Sequence, residues 1–192
     1  MHSWVVIPIK APGACKTRLA TVLNANDRCA LVRDMLGQVV EAARSVVGDD
    51  NVRVLGPSVH GLSSPVKLLP DPGGGLNAAA ASARDAAISS RVGRLLLISA
   101  DLPRIGRADI EALLHVRQDY LGIAPDRGRQ GTNALSLPLP KASSFLFQYG
   151  VGSFHAHRAE AHRLGMDFVE IVRDTLSLDI DYPDDLEAWR EV

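Results

Sequence analysis

Short apolar runs alternate along the chain with longer segments whose apolar residues recur at helical spacing. Residues 4–9 read as a buried strand, and 52–55, 66–69 and 95–99 as three more. The last run is apolar throughout, as a central strand covered on both faces requires. Residues 27–47 carry Leu31, Met35, Val39, Ala43 and Val46 on one face, which predicts a helix. Asn24, with Asp27 three residues on, resembles a capping pair for it. Residues 76–89 predict an Ala-rich helix, and 109–117, 153–164 and 183–190 further helices, the last with Pro183 in its first turn. Residues 122–124, 134–137 and 168–172 predict short strands. This alternation implies an α/β fold, a mostly parallel sheet covered by helices on both faces and so three layers. Ligands of such sheets bind beyond the carboxyl ends of the strands, so the segments just after strands are where chemistry is sought.

Composition narrows the function classes. A chain of 192 residues is expected to form one domain, spanning 1–192. With 46% hydrophobic and 22% charged residues it is not mainly disordered. Lys plus Arg number 21 and Asp plus Glu 22, a formal net charge of −1, which argues against coating nucleic acid or an anionic membrane. Cys15 and Cys29 make no disulfide framework and point to a reducing compartment. The N-terminal apolar run is short and cut by Pro8, and no stretch approaches the roughly 20 residues of a membrane helix. The expectation is a cytoplasmic protein with neither nucleic acid nor membrane as partner.

Five stretches carry candidate chemistry. The loop after the first strand holds Lys10, Lys16 and Arg18 with no acid between them, suited to neutralising phosphate oxygens, or else a solvated basic loop. It lacks the glycine spacing of a Walker A loop. Gly73, Gly74 and Gly75, then Asn77, stand between a strand and a helix, where glycines allow close backbone approach and leave N–H groups free; the alternative is a flexible turn. Asp101 ends the fourth strand, where a carboxylate suits Mg²⁺ or caps a turn. Thr132, and Gly150 and Gly152 before Ser153, make a second possible anion nest, or Ser153 merely caps a helix. Asp179 and Asp181 alternate with apolar residues, so an extended backbone puts both carboxylates on one side, as a shared cation requires. Asp184 and Asp185 fall in a first helical turn and read as structural.

Three further features read as structural. His155, His157 and His162 lack accompanying metal-ligand motifs and read as surface or capping residues. Cys15 beside Lys16 is a candidate for a lowered thiol pKa, without a partner to make it a nucleophile. Trp4 and Trp189 read as packing residues.

Together the stretches form an ordered set: P-x-K with K-T-R-L, P-D-P-G-G-G-L-N, A-D-L-P, A-P-D-R with G-T-N-A-L, G-x-G-S-F and L-D-I-D-x-P-x-D-L, running from Pro8 to Leu186. The set resembles the 2-phospho-L-lactate guanylyltransferase family, which includes phosphoenolpyruvate guanylyltransferases. That resemblance implies a single nucleotidyltransferase domain with a Rossmann-like three-layer α/β/α sandwich of the nucleotide-diphospho-sugar transferase type, and transfer of GMP from GTP to a three-carbon phosphoacid, with release of pyrophosphate, in coenzyme F-420 biosynthesis. It implies Asp101, Asp179 and Asp181 as magnesium ligands, and Thr132, Gly150 and Ser153 at the phosphoacid, with Gly152 beside them. It implies Lys10, Lys16 and Arg18 at the triphosphate, and the segment from Gly73 to Asn77 at the nucleoside. Val151 replaces a proline common in the family's G-P-G-S-F, which leaves phosphoenolpyruvate, 2-phospho-L-lactate and 3-phosphoglycerate open as acceptors. Small enzymes of this kind often form homodimers, and an unstable product implies functional coupling to the next enzyme of the pathway. Other readings stay open: a sugar-1-phosphate or molybdopterin nucleotidyltransferase, whose usual L-x-x-G-x-x-x-R opening is missing here; a glycosyltransferase; and a catalytically inactive nucleotide-binding regulator.

Overall fold

The computed structural model describes residues 2–11 and 14–190; Pro12 and Gly13, inside the basic loop, lie outside the described residues. Seven strands form one sheet: β1 Ser3–Pro8, β2 Val52–Leu55, β3 Lys67–Leu69, β4 Arg94–Ile98, β5 Leu121–Pro125, β6 Thr132–Pro138 and β7 Phe168–Glu170, in the order β3-β2-β1-β4-β6-β5-β7. The helices are α1 Ala25–Val47, α2 Leu76–Ser89, α3 Arg107–Leu114, α4 Ser153–Arg163, α5 Asp174–Ser177 and α6 Pro183–Arg190. The three-layer expectation holds: α2 and α4 cover one face and α1, α3 and α5 the other. The short α5 is absent from the sequence reading.

Alternation along the central strands builds both cores. Val6, Leu95 and Leu97 point to the α2–α4 side, and Val5, Ile7, Leu96 and Ile98 to the α1–α3 side. All seven are at most 1% exposed, and each such aliphatic side chain contributes about 1.5–3 kcal/mol by burial. Asn24 caps α1 as expected, its side chain accepting from Asp27 N–H at 3.0 Å. Leu31, Met35, Val39 and Ala43 are buried, while Val46 is half-buried. A third cluster joins Leu19, Leu31, Val32 and Met35 to Ile180 and Leu186, with Trp189 packed against it. It ties the C-terminal segment to the loop after β1. Trp4 is buried against α2, so both tryptophans pack as expected.

One strand departs from the parallel pattern in a way that positions the site. β6 runs antiparallel to both neighbours, β4 and β5. Its first residues therefore lie at the carboxyl edge of β4, and Ser99 N–H donates to Asn133 O at 2.8 Å. A parallel strand would have carried Thr132 to the opposite edge of the sheet. β6 is also bulged: Ala124 pairs with Ala134 but Pro125 with Thr132, so Asn133 is an extra residue. Strict alternation would put Thr132 on the face of Ala134 and Asn133 on that of Leu135. The bulge exchanges them, sending Thr132 to α4 and Asn133 to α5 and the segment after it.

Candidate active site

At the carboxyl edge of β1 and β4 lies a cavity of about 380 Å³. Pro8, Ile9, Leu55 and Ile98 give it apolar walls, and Lys10, Lys16, Asp101 and Asp181 its charge. Asp101 follows β4; Asp179 and Asp181 arrive on an extended segment held beside it by Ile180 N–H donating to Asp101 O at 3.3 Å. One carboxylate oxygen from each of the three lies within 4.8 Å of the others. Asp101 Oδ1 is buried without a hydrogen-bond partner. Three converging carboxylates, one with an oxygen left unpartnered, are a donor set that fits a hard cation.

Lys16 is the counter-charge. Its Nζ lies 2.5 Å from Asp101 Oδ2 and 2.8 Å from Asp181 Oδ1. Its backbone takes the left-handed conformation (φ 51°), which costs an L-residue about 1–2 kcal/mol. Burial disfavours the Lys16 ammonium, but Asp101 and Asp181 hold its pKa above the ordinary value. Arg18 Nη1 reaches Asp181 Oδ2 at 3.0 Å and packs over the Tyr182 ring; it is exposed, so this pair contributes little stability. Burial pushes Asp181 up, yet Lys16, Arg18 and Lys10 hold it below its ordinary range. Among the described residues no cation pairs with Asp179, and burial, then the Asp101 charge, pushes its pKa up to about 6. Asn133 Nδ2 donates to it at 3.3 Å. Lys10 lines the cavity and makes no ion pair among the described residues.

The nucleoside candidates divide. Gly73, Gly74 and Gly75 all have φ between 81° and 85°, which demands glycine, and a Cβ on Gly73 or Gly75 would meet open space. Gly75 lines the cavity; Gly73 and Gly74 do not. Asn77 turns away to clamp a backbone, accepting from Tyr149 N–H at 2.7 Å and donating to Tyr149 O at 3.3 Å.

The acceptor candidates meet on the α4 side. Ser153 Oγ lies 3.2 Å from Thr132 Oγ1, both side chains buried. Gly152, at φ 73°, is the helix cap, so Ser153 is the first residue of α4, not its cap. Its amide donates to Gly150 O at 3.2 Å. Gly150 is also in positive-φ backbone, at 137°.

Three expectations need correction or addition. His157, read as a surface or capping residue, is fully buried and bridges Thr132 Oγ1 (3.1 Å) and Gln148 N (3.0 Å); His155 and His162 are exposed as expected. The Cys15 thiol is pushed up by burial, more than Lys16 and Lys10 pull it down. Asp71, Asn133 and Tyr149 line the cavity unforeseen. Asp71 and Asn133 had a usable signal, because each lies inside a motif already singled out, P-D-P-G-G-G-L-N and G-T-N-A-L. As expected, Asp185 is structural, accepting from Asp181 N–H and Tyr182 N–H.

Among the described residues, no helix is long and apolar enough to cross a membrane. A phosphoenolpyruvate guanylyltransferase of Rubrobacter xylanophilus is 38% identical over 97% of this chain and 92% of its own. A 2-phospho-L-lactate guanylyltransferase of Methanosarcina acetivorans is 35% identical over 94% of this chain and 83% of its own. In three dimensions the chain is similar to a protein of Desulfovibrio desulfuricans G20 described as a nucleotide-diphospho-sugar transferase, with TM-score 0.77 and 16% identity over 97% and 85% of the two chains. At that identity the likeness shows the fold alone. The family described as guanylyl transferase CofC like matches residues 3–189, and the chain belongs to it.

Proposed function

We propose that this chain transfers GMP from GTP to a three-carbon phosphoacid (phosphoenolpyruvate, 2-phospho-L-lactate or 3-phosphoglycerate) and releases pyrophosphate, as a step of coenzyme F-420 biosynthesis. The observation that carries this reading is that Asp101, Asp181 and Lys16 line one cavity and Asp179 converges on the same two carboxylates, with Asp101 Oδ1 left unpartnered. A binding module without catalysis has no need of three converging carboxylates. The identity of the family's curated relatives supplies the reaction class.

An oxygen of the acceptor phosphate attacks the α-phosphorus of GTP. The new P–O bond forms as the bond from the α-phosphorus to the bridging oxygen breaks, and pyrophosphate leaves. The attacking oxygen is already ionised at neutral pH, so the step needs no strong general base. Asp101, Asp179 and Asp181 would hold Mg²⁺, which when bound supplies charge neutralisation and alignment of phosphate oxygens. Lys16, Arg18 and Lys10 neutralise the triphosphate and the departing pyrophosphate. The Gly73–Gly75 backbone lets the nucleoside approach closely; Thr132 and Ser153 with the Gly150–Gly152 backbone orient the acceptor. The 192 residues would form one domain, acting in the cytoplasm, with an unstable product passed to the next enzyme.

The deciding experiment incubates the protein with each nucleoside triphosphate, each of the three phosphoacids and Mg²⁺, scored by pyrophosphate release with the next enzyme of the pathway present to pull an unstable product forward. Release with GTP and one phosphoacid is the expected result. Release only from another triphosphate with a sugar phosphate would overturn it.

A further inference from the structure

The hydrogen bonds around Thr132 and Ser153 can be counted proton by proton, and the count depends on one buried imidazole. His157 is fully buried on α4. Its Nε2 lies 3.0 Å from the Gln148 backbone N–H, and an amide N–H can only donate. Nε2 must therefore be the unprotonated, accepting nitrogen of a neutral ring, and Nδ1 carries the proton. Nδ1 lies 3.1 Å from Thr132 Oγ1, so it donates there. Burial, opposed only by the nearby Glu160, keeps the ring neutral by pushing its pKa down to about 4.

Thr132 and Ser153 have two hydroxyl protons between them. One is used in their mutual bond at 3.2 Å. The other has no acceptor among the described residues, although Thr132 is 7% and Ser153 2% exposed. With the opposite tautomer, Nδ1 would accept the Thr132 proton, Thr132 would accept from Ser153, and none would be left over. The tautomer thus decides whether the pair faces its ligand as a donor or with lone pairs alone.

We propose that His157 is a positioning residue that makes the Thr132–Ser153 pair an obligate hydrogen-bond donor to an anionic oxygen, phosphate or carboxylate, of the acceptor substrate. This rests on the guanylyltransferase reading for the identity of that substrate. Gln148 fixes one end of the imidazole, and the backbone that supplies it runs on into Tyr149 and Gly150 at the other side of the acceptor site. One ring therefore ties β6, α4 and the glycine-flanked turn into a single arrangement.

The first test is ¹⁵N-detected imidazole NMR on the wild-type protein at neutral pH, with the His157 signal assigned by its loss in His157→Gln. A ring protonated at Nδ1 and not at Nε2 is expected; an Nε2-protonated ring overturns the proposal. The second test is steady-state kinetics. In His157→Gln the new amide occupies the Nε2 position, and the donor to Thr132 is lost. The KM for the phosphoacid should rise about 10- to 100-fold while the KM for GTP changes less than about twofold. In His157→Asn the amide nitrogen reaches the Nδ1 position and should recover part of that loss. An equal rise in both KM values, or no rise in either, overturns the proposal. If the wild-type protein released no pyrophosphate with any phosphoacid, the functional reading would fail, while the tautomer measurement would still decide the hydrogen-bond assignment.

Discussion

At the ends of β1 and β4, Asp101 and Asp181 hold Lys16 by charge with the unpaired Asp179 beside them, while at the start of β6 and α4, Thr132, Ser153 and His157 hold one another without any. The charged group is half-buried, with one oxygen unpartnered and Asp179 poised near pH 6. The neutral group is buried, and its ring is held far from protonation. The difference suits the two jobs of a nucleotidyl transfer. Charge is wanted where a triphosphate and its leaving pyrophosphate must be neutralised. Around an attacking phosphate oxygen a cation would damp the nucleophile, whereas neutral donors orient it and leave its charge available. The two groups touch through the bulge in β6, where Thr132 turns to one and Asn133 to the other.

The sharpest way to break this comparison is to neutralise the charged end alone. Asp101→Asn and Asp179→Asn each keep shape and lose charge. Each should lower the rate of pyrophosphate release by about 10²- to 10³-fold at saturating Mg²⁺. A rate near that of the wild type in both would remove the metal role from this cluster. Asp179→Asn should at the same time leave the metal-free protein more stable, because a carboxylate penalised by burial and by Asp101 is gone.

Much of this arrangement was legible in the chain, and the remainder was not for identifiable reasons. Extended-backbone geometry puts Asp101 at a strand end and Asp179 and Asp181 on one side of their segment, whereas the meeting of all three is implied only by the family resemblance. The three glycines before α2 likewise announce a positive-φ turn. The direction of β6 was not legible, since hydropathy is the same whichever way a strand runs. Nor was the bulge that re-aims Thr132 and Asn133. His157 was misread because α4 breaks the amphipathic rule: Ser153, His157 and Glu160 occupy its buried face. Ser153 bonds Thr132 on β6, and the other two are met by the backbone of the segment before Gly150, with Glu160 accepting from Leu146 N–H at 2.7 Å and His157 from Gln148 N–H. No periodicity foretells polar residues whose partners are a distant irregular segment.

The two ends should also titrate in opposite directions. Asp179 has its pKa raised in the fold, to about 6 from an ordinary 3.8, so its stability contribution is fully present below about 3.8 and lost as pH rises through 6. His157 has its pKa lowered, to about 4 from 6.5, so its contribution is present above 6.5 and lost as pH falls through 4. Each is worth about 3 kcal/mol at most. In the wild-type protein without Mg²⁺ they oppose each other between pH 4 and 6.5. Asp179→Asn should expose the histidine limb, with the denaturant midpoint falling as the pH drops. His157→Gln should expose the aspartate limb, with the midpoint rising over the same interval. Parallel curves for the two variants would contradict the assignment of either group.

The smallest effect concerns Asn77, which the family resemblance implies at the nucleoside and whose side chain is fully engaged with the backbone of Tyr149. That clamp joins the start of α2, at the charged cavity, to the segment that runs into Gly150, so it links the two regions mechanically. Asn77→Ala removes two hydrogen bonds at an exposed position and should cost about 1–2 kcal/mol of stability. Because both regions are tied by it, the KM values for GTP and phosphoacid should rise together, each by less than about tenfold. Asn77→Asp keeps the acceptor for Tyr149 N–H and loses the donor to Tyr149 O, so its stability should fall between the two. A side chain that instead contacted the nucleoside would show a different split: the KM for GTP alone would rise, by more than tenfold, at unchanged stability. Kinetics on both substrates together with a denaturation curve for each variant distinguish a clamp between the two halves of the site from a contact belonging to one of them.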